Sequence, residues 1–258
     1  MNCHVTAAAL AFALAAVVPG CAAPEPREPP PPDRLTIEEE IALGRAVAPA
    51  VTEALGGELD DLAVQAYVRT VGQRVARATR LSELPYRFTV LDSSEPGGVA
   101  LPGGVVGVTR GLLERLETEA QLAAALAREL AHLAAGHVRR GQTDRFSLAV
   151  LRQAAAAGEE IYAGRRGDPA TVERVARTLA GVSYPGGERR EADRLGLDYL
   201  AAVGYNPQEM AAALERLGVG PDRVEAIRAL AARKYADRGG RVADEVYSRE
   251  VRERLTKP

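Results

Sequence analysis

The segment from Thr118 to His137 limits what this chain can fold into more than any other. Thr118-Glu119-Ala120-Gln121 carries the residues of a capping box, a threonine and, three positions on, a glutamine. Leu122, Leu126, Leu130 and Leu133 then recur at helical spacing. A leucine stripe of this kind has to be buried, so the spacing predicts a helix at the centre of a core. The pattern stops between Gly136 and Gly141.

The elements around it read mostly as helices. Thr36 to about Leu55 places Ile41, Val47 and Val51 on one face. Asp60 to about Thr79 does the same with Val64, Tyr67, Val68, Val71 and Val75, after a Gly56-Gly57 break. The period then changes. Tyr86 to Leu91 alternates and is rich in aromatic and β-branched residues, and Val105 to Thr109 follows a Pro102-Gly103-Gly104 turn, so a small sheet or hairpin is expected there. From Gly111 onward the chain reads as helical. Helices are expected at about residues 171–182, 188–202, 207–217 and 221–235, with a charged, peripheral one near 242–255. The predicted fold class is therefore mainly α with a small β-sheet (α+β), in one domain without internal repeats. Aromatic residues make up only 4% of the 258, which agrees with close helix packing. Lys plus Arg (33) nearly balance Asp plus Glu (35), which gives no reason to expect nucleic acid as a partner.

The N-terminal region reads as a targeting segment. The first twenty residues hold no Lys, Arg, Asp or Glu, and Val5 to Val18 is an unbroken small-apolar run. It is shorter than the ~20 residues a spanning helix needs but suits a signal-peptide core. Val18-Pro19-Gly20-Cys21 resembles a bacterial lipobox, so residues 1–20 are expected to be a lipoprotein signal peptide and Cys21 the lipidated first residue. A plainly secreted protein and a mis-assigned start are the alternatives. The proline-rich stretch 21–34 then forms a semi-rigid tether to a domain over 35–258. Ala22 and Ala23 after the cysteine resemble outer-membrane rather than inner-membrane lipoproteins. With Cys3 removed and Cys21 acylated, no disulfide is available.

The central helix also carries Arg128-Glu129-Leu130-Ala131-His132. In an H-E-x-x-H helix two histidines four apart share one face and one zinc, and the intervening glutamate activates a water. Here arginine stands in the first histidine's place. Alone, such a fragment reads as ordinary surface charge; its surroundings change that. Leu101-Pro102-Gly103-Gly104, Val108-Thr109-Arg110-Gly111-Leu112-Leu113 and Glu119 to His137 come in order, followed by Glu191-Ala192-Asp193-Arg194-Leu195-Gly196-Leu197 and Gly204-Tyr205-Asn206-Pro207. Upstream, Glu40-Ile41-Ala42-Leu43-Gly44, Tyr67-Val68 and Gly72 belong to the same set. From about Leu35 to Leu217 the chain resembles metallopeptidase family forty-eight, with residues 218–258 adding further helices.

The resemblance implies a gluzincin-like zinc endopeptidase domain built around a central active-site helix. It makes Glu129 the general-base position and His132 a zinc-ligand position. Arg128 and Arg189 then stand where the other two ligands would be, and Asp193 where an aspartate orients the first histidine. Glu191 and His137 fall just outside the metal's own ligands. Further departures are Gly97-Gly98-Val99 and Pro185-Gly186, and no histidine lies between Val246 and Leu255. Arginine stays protonated and cannot ligate. His137 is five residues from His132, about 140° away on a regular helix, so the two are not expected to share a metal. The two arginines are expected to replace the metal's charge, Arg128 pairing with Asp193 and Arg189 with Glu129 or a neighbouring carboxylate.

The leading expectation is a catalytically inactive or impaired protease-like lipoprotein of the cell envelope, facing the periplasm, that binds envelope proteins or unfolded polypeptides in the former substrate cleft. It has no cofactor. An active zinc metalloendopeptidase with a rearranged ligand set and a purely structural envelope lipoprotein are the rivals, and the first of these would need zinc.

Overall fold

The computed structural model describes residues 34–181 and 183–256. The predicted signal peptide, Cys21 and all of the tether but Arg34 lie outside the described residues. None of the described helices is long and apolar enough to cross a membrane.

Helix α1 (Ile37–Ala54) opens on a reciprocal cap, in which Thr36 Oγ1 accepts from the Glu39 N–H at 3.0 Å and the Glu39 carboxylate accepts from the Thr36 N–H at 2.9 Å. It crosses the Pro102–Gly104 turn so closely that a Cβ at Gly44 would lie 2.0 Å from the Pro102 carbonyl oxygen. Helix α2 (Leu62–Ala76) is capped by Asp61. Three strands follow, β1 (Arg87–Leu91), β2 (Gly98–Leu101) and β3 (Val105–Thr109), in the order β1-β3-β2. The two strands expected from sequence pair in parallel. The hairpin is instead β2 with β3, antiparallel around the Pro102–Gly104 turn. β2 has no alternating pattern to betray it.

Phe88, Val90, Val106 and Val108 pack from the sheet into the main core, which also holds Val64, Val68 and Val71 of α2 and the leucines of α4 (Glu119–Ala134). Every residue of α4 except Arg128 is buried. Helix α3 (Arg110–Arg115) links β3 to α4, and α5 (His137–Thr143) leaves α4 after a left-handed Gly136 (φ 74°). Helix α8 (Gly186–Ala202) runs against α4, where a Cβ at Gly196 would sit 3.1 Å from the Arg128 backbone nitrogen. Helices α9 (Glu209–Arg216) and α10 (Pro221–Lys234) close that side. A second core joins α1 to α6 (Leu148–Tyr162) and α7 (Pro169–Ala180) through Leu43, Val47, Leu151, Val175 and Leu179.

The C-terminal segment Asp244–Leu255 is not the peripheral helix that its charges suggest. Tyr247 and Val251 are fully buried, and the Tyr247 hydroxyl donates to the Leu113 carbonyl at 2.7 Å. The backbone widens into a π-helical turn over Ser248–Arg252, between two short α-helical ends. Exposed Arg249, Arg252 and Glu253 hide two apolar anchors from a sequence reading.

Candidate functional site

The site is built on α4, and α4 is fixed first at its N-terminus. Thr118 Oγ1 accepts from the Gln121 N–H at 3.1 Å, but Gln121 returns its bond to the Glu117 N–H, so only half of the expected capping box forms. Glu119 is buried and accepts from Tyr205 (2.6 Å), Tyr67 (2.5 Å), Arg74 (2.7 Å) and Arg241 (2.9 Å). Burial pushes its carboxyl upward, yet the bonds from Tyr205, Tyr67 and Arg74 outweigh this and hold it below the usual glutamate range. Tyr67 and the Gly204-Tyr205 motif therefore serve to lock α2 and the turn after α8 onto the start of α4.

Three turns along, Arg128 lies between two carboxylates. Its Nε donates to Asp193 Oδ1 at 3.1 Å and its Nη1 to Glu129 Oε1 at 2.9 Å. Asp193, 1% exposed, gives its second oxygen to Arg223 of α10, which donates from Nη2 at 2.6 Å and from Nε at 3.0 Å. The result is a chain Glu129–Arg128–Asp193–Arg223 of two buried carboxylates and two part-buried guanidinium groups, in which charge-assisted bonds offset the cost of desolvation. Burial raises the Glu129 carboxyl above its ordinary range, with the Arg128 charge opposing.

His132 lies deeper and is fully buried. Burial first, then the charge of Arg128, push its imidazole down to about 2. Its Nδ1 is 3.0 Å from Nδ1 of His137, whose Nε2 is 3.2 Å from the Glu191 carboxylate. A carboxylate can only accept, so with one proton on each ring His137 donates from Nε2, its Nδ1 accepts, and His132 donates from Nδ1. That leaves the His132 Nε2 lone pair buried and without a hydrogen-bond partner among the described residues. Tyr184 stacks over the ring at 3.8 Å between centroids and 21° between planes. The expectation that His132 and His137 point apart assumed a regular helix. Gly136 in the left-handed region ends α4 and turns α5 back, which brings the two rings together.

Arg189 takes no part in this network. It is exposed and has no ion pair among the described residues, so the expected pairing with Glu129 is absent. The physical reason is that Glu129 is already engaged by Arg128 and Asp193 by Arg128 and Arg223. A third guanidinium would have no carboxylate left, and solvent is the cheaper surrounding. Arg223 fills the place that the sequence suggested for Arg189. No motif marks it, and it lies thirty positions beyond its partner.

Beside Glu129 runs β2. A Cβ at Gly98 would lie 3.0 Å from the Glu129 Cγ, so glycine there is what allows the strand to pass over this side chain. Among the described residues β2 pairs only with β3, which makes it an edge strand of the sheet, with Gly98 exposed and Ala100 and Leu101 buried.

Residues 62–234, which include the sheet, α4, the ion-pair chain and all of α10, match the family model for Peptidase family M48. The chain belongs to that family. Members of the M48 family are zinc metalloproteases, and similar curated proteins carry such names. The beta-barrel assembly-enhancing protease of Yersinia pestis is 28% identical over 195 residues, covering 71% of this chain and 38% of that protein. The Escherichia coli protein of the same name is 27% identical over the same coverage. Metalloprotease LoiP of Escherichia coli is 23% identical over 142 residues, 55% of each chain. The chain thus spans well under half of the first two relatives.

The residues present do not fit the M48 zinc. At Arg128, where the resemblance would put the first ligand, a guanidinium is held by two carboxylates. Arg189, where the resemblance would put the third, is exposed, and the ring of Tyr184 lies over His132. Among the described residues no three His, Cys, Asp or Glu side chains are grouped to hold a metal ion.

Proposed function

We propose that this protein is a lipid-anchored member of its family in the cell envelope, facing the periplasm, which holds polypeptides in the old substrate cleft without cleaving them. The observation that carries the reading is the Arg128 guanidinium bonded to both Glu129 and Asp193. It supplies to the two carboxylates the positive charge that a metal would bring, but it has no Lewis acidity and activates no water. Glu129, in the general-base position, is committed to that ion pair.

The edge strand β2 is the feature suited to an unfolded or extended client, since main-chain hydrogen bonds there need no particular side chains. Relatives named for β-barrel assembly support a place in the envelope, and the lipobox-like Val18 to Cys21 supports an anchor.

Metal analysis and proteolysis of protein purified without added zinc test the reading. The expected result is well under one zinc per chain, no cleavage of casein, and retained binding of unfolded polypeptide. Stoichiometric zinc with chelator-sensitive proteolysis would overturn it in favour of an active peptidase. A Cys21→Ala variant that still fractionated with membranes in a detergent-free lysate would remove the anchor from it.

A further inference from the structure

A second site lies between α8 and α10, away from the β2 edge. The two helices bound a cavity of roughly 310 Å3. From α8 it receives Arg190 and Arg194, four residues apart and so on one face; from α10 it receives Arg223, Ile227 and Leu230 at helical spacing. A seam between packed helices ordinarily has apolar side chains on both sides. Here Arg223 of α10 is paired with Asp193 of α8 at one end, the remaining charges of the α8 side are the cations Arg190 and Arg194, the remaining α10 side is apolar, and the cavity is open.

The charges are not balanced within the protein. Arg223 is matched by Asp193 through Nη2 and Nε. Arg190 and Arg194 are exposed and have no ion pair among the described residues. The cavity therefore carries two uncompensated guanidinium groups above the apolar surface of Ile227 and Leu230. Arginine forks recognise planar carboxylates by paired N–H donors.

We propose that this cavity binds the C-terminal residue of a polypeptide, with the free carboxylate on Arg190 and Arg194 and an apolar side chain against Ile227 and Leu230. The shared chemistry is a carboxylate joined directly to an apolar group, which a peptide end and a fatty acid both offer. The size of the cavity selects the peptide: it is at the lower limit of small-molecule sites, which suits one residue rather than a membrane-length acyl chain. An aspartate or glutamate within a chain has the carboxylate but no apolar group on the same residue. The site stands whether or not the β2 edge takes a client.

The test is calorimetric titration of the full chain with a pentapeptide ending in leucine, as the free acid and as the amide. The acid should bind at least about tenfold more tightly, a difference of one arginine–carboxylate contact. The preference should vanish in an Arg190→Gln/Arg194→Gln double variant whose melting temperature is unchanged, because neither side chain supports the fold. Equal affinity for acid and amide, or an undiminished preference in the double variant, would overturn the proposal. So would laurate or phosphatidylglycerol vesicles binding more tightly than the peptide, since the site would then belong to a lipid.

Discussion

Arg128 and Asp193 meet across the α4–α8 contact at 3.1 Å, a guanidinium of one helix on a buried carboxylate of the other. Asp193 also accepts from Arg223 at 2.6 Å through its other oxygen, so one carboxylate bridges two guanidinium groups. Replacing it by alanine strands Arg223 and leaves Arg128 with Glu129 alone. Breaking a buried pair of this kind costs about 3–5 kcal/mol, which for a domain of this size lowers the melting temperature by roughly 6–20 °C. Thermal unfolding of Asp193→Ala followed by circular dichroism checks this, and an unchanged midpoint would show that the ion-pair chain is ornamental.

Restoring the zinc should take more than restoring its ligands. Arg128→His with Arg189→Glu rebuilds the ligand types but leaves the Tyr184 ring stacked over His132. Zinc affinity, measured against a chromogenic chelator, should return only when Tyr184→Ala is added. Tight zinc binding by the double variant alone would mean that Tyr184 moves aside at little cost.

The Glu119 cluster gives the domain an acid limit. Its carboxyl is depressed in the folded state, so its stabilisation is fully present above the unfolded glutamate value of about 4.3 and is lost as pH falls through the lower folded value. At pH 7 a Glu119→Gln variant should melt several degrees below the parent, by about 1–3 kcal/mol for hydrogen bonds to a buried charge. The gap should close as the pH is brought below about 4. A gap independent of pH would assign the loss to shape rather than charge.

Gly44 should tolerate no side chain. A methyl there meets the Pro102 carbonyl at 2.0 Å, and both groups are held by backbone. Gly44→Ala should lower stability by about 1–3 kcal/mol or more, whereas Gly239→Ala, with nothing within 4 Å, should melt like the parent. Equal melting of the two would show that α1 can lift off the turn.

The sequence made α4 legible because local signals agreed along it, with a polar cap, a leucine stripe and a glycine stop, and residues 119–134 follow that outline. The mainly helical class with a small sheet was legible for the same reason. β2 was not, since Gly-Val-Ala-Leu has neither alternation nor length and is a strand only because β3 lies beside it. α6 was left unbounded within a stretch read simply as helical, because its alanine run marks neither end. In the site, Arg128 and Asp193 could be found because a motif framed each. Arg223 and Tyr184 have no such frame; they enter by the way α10 and the segment before α8 fold back. The turning of His137 toward His132 hung on the backbone angle of one glycine, which spacing along the chain does not encode.

The hydroxyl of Tyr247 reaches the carbonyl of Leu113 across 134 positions. During synthesis, the helices around α4 can begin to gather long before that tyrosine exists, but the core they enclose stays open on one side until the chain as far as Val251 has left the ribosome. Until then the nascent chain exposes leucines that belong inside, and depends on holding factors or rapid completion to escape aggregation. The last helical turns are thus the closing stitch, and truncating the gene a few codons before Tyr247 should yield an insoluble product rather than a slightly weakened one.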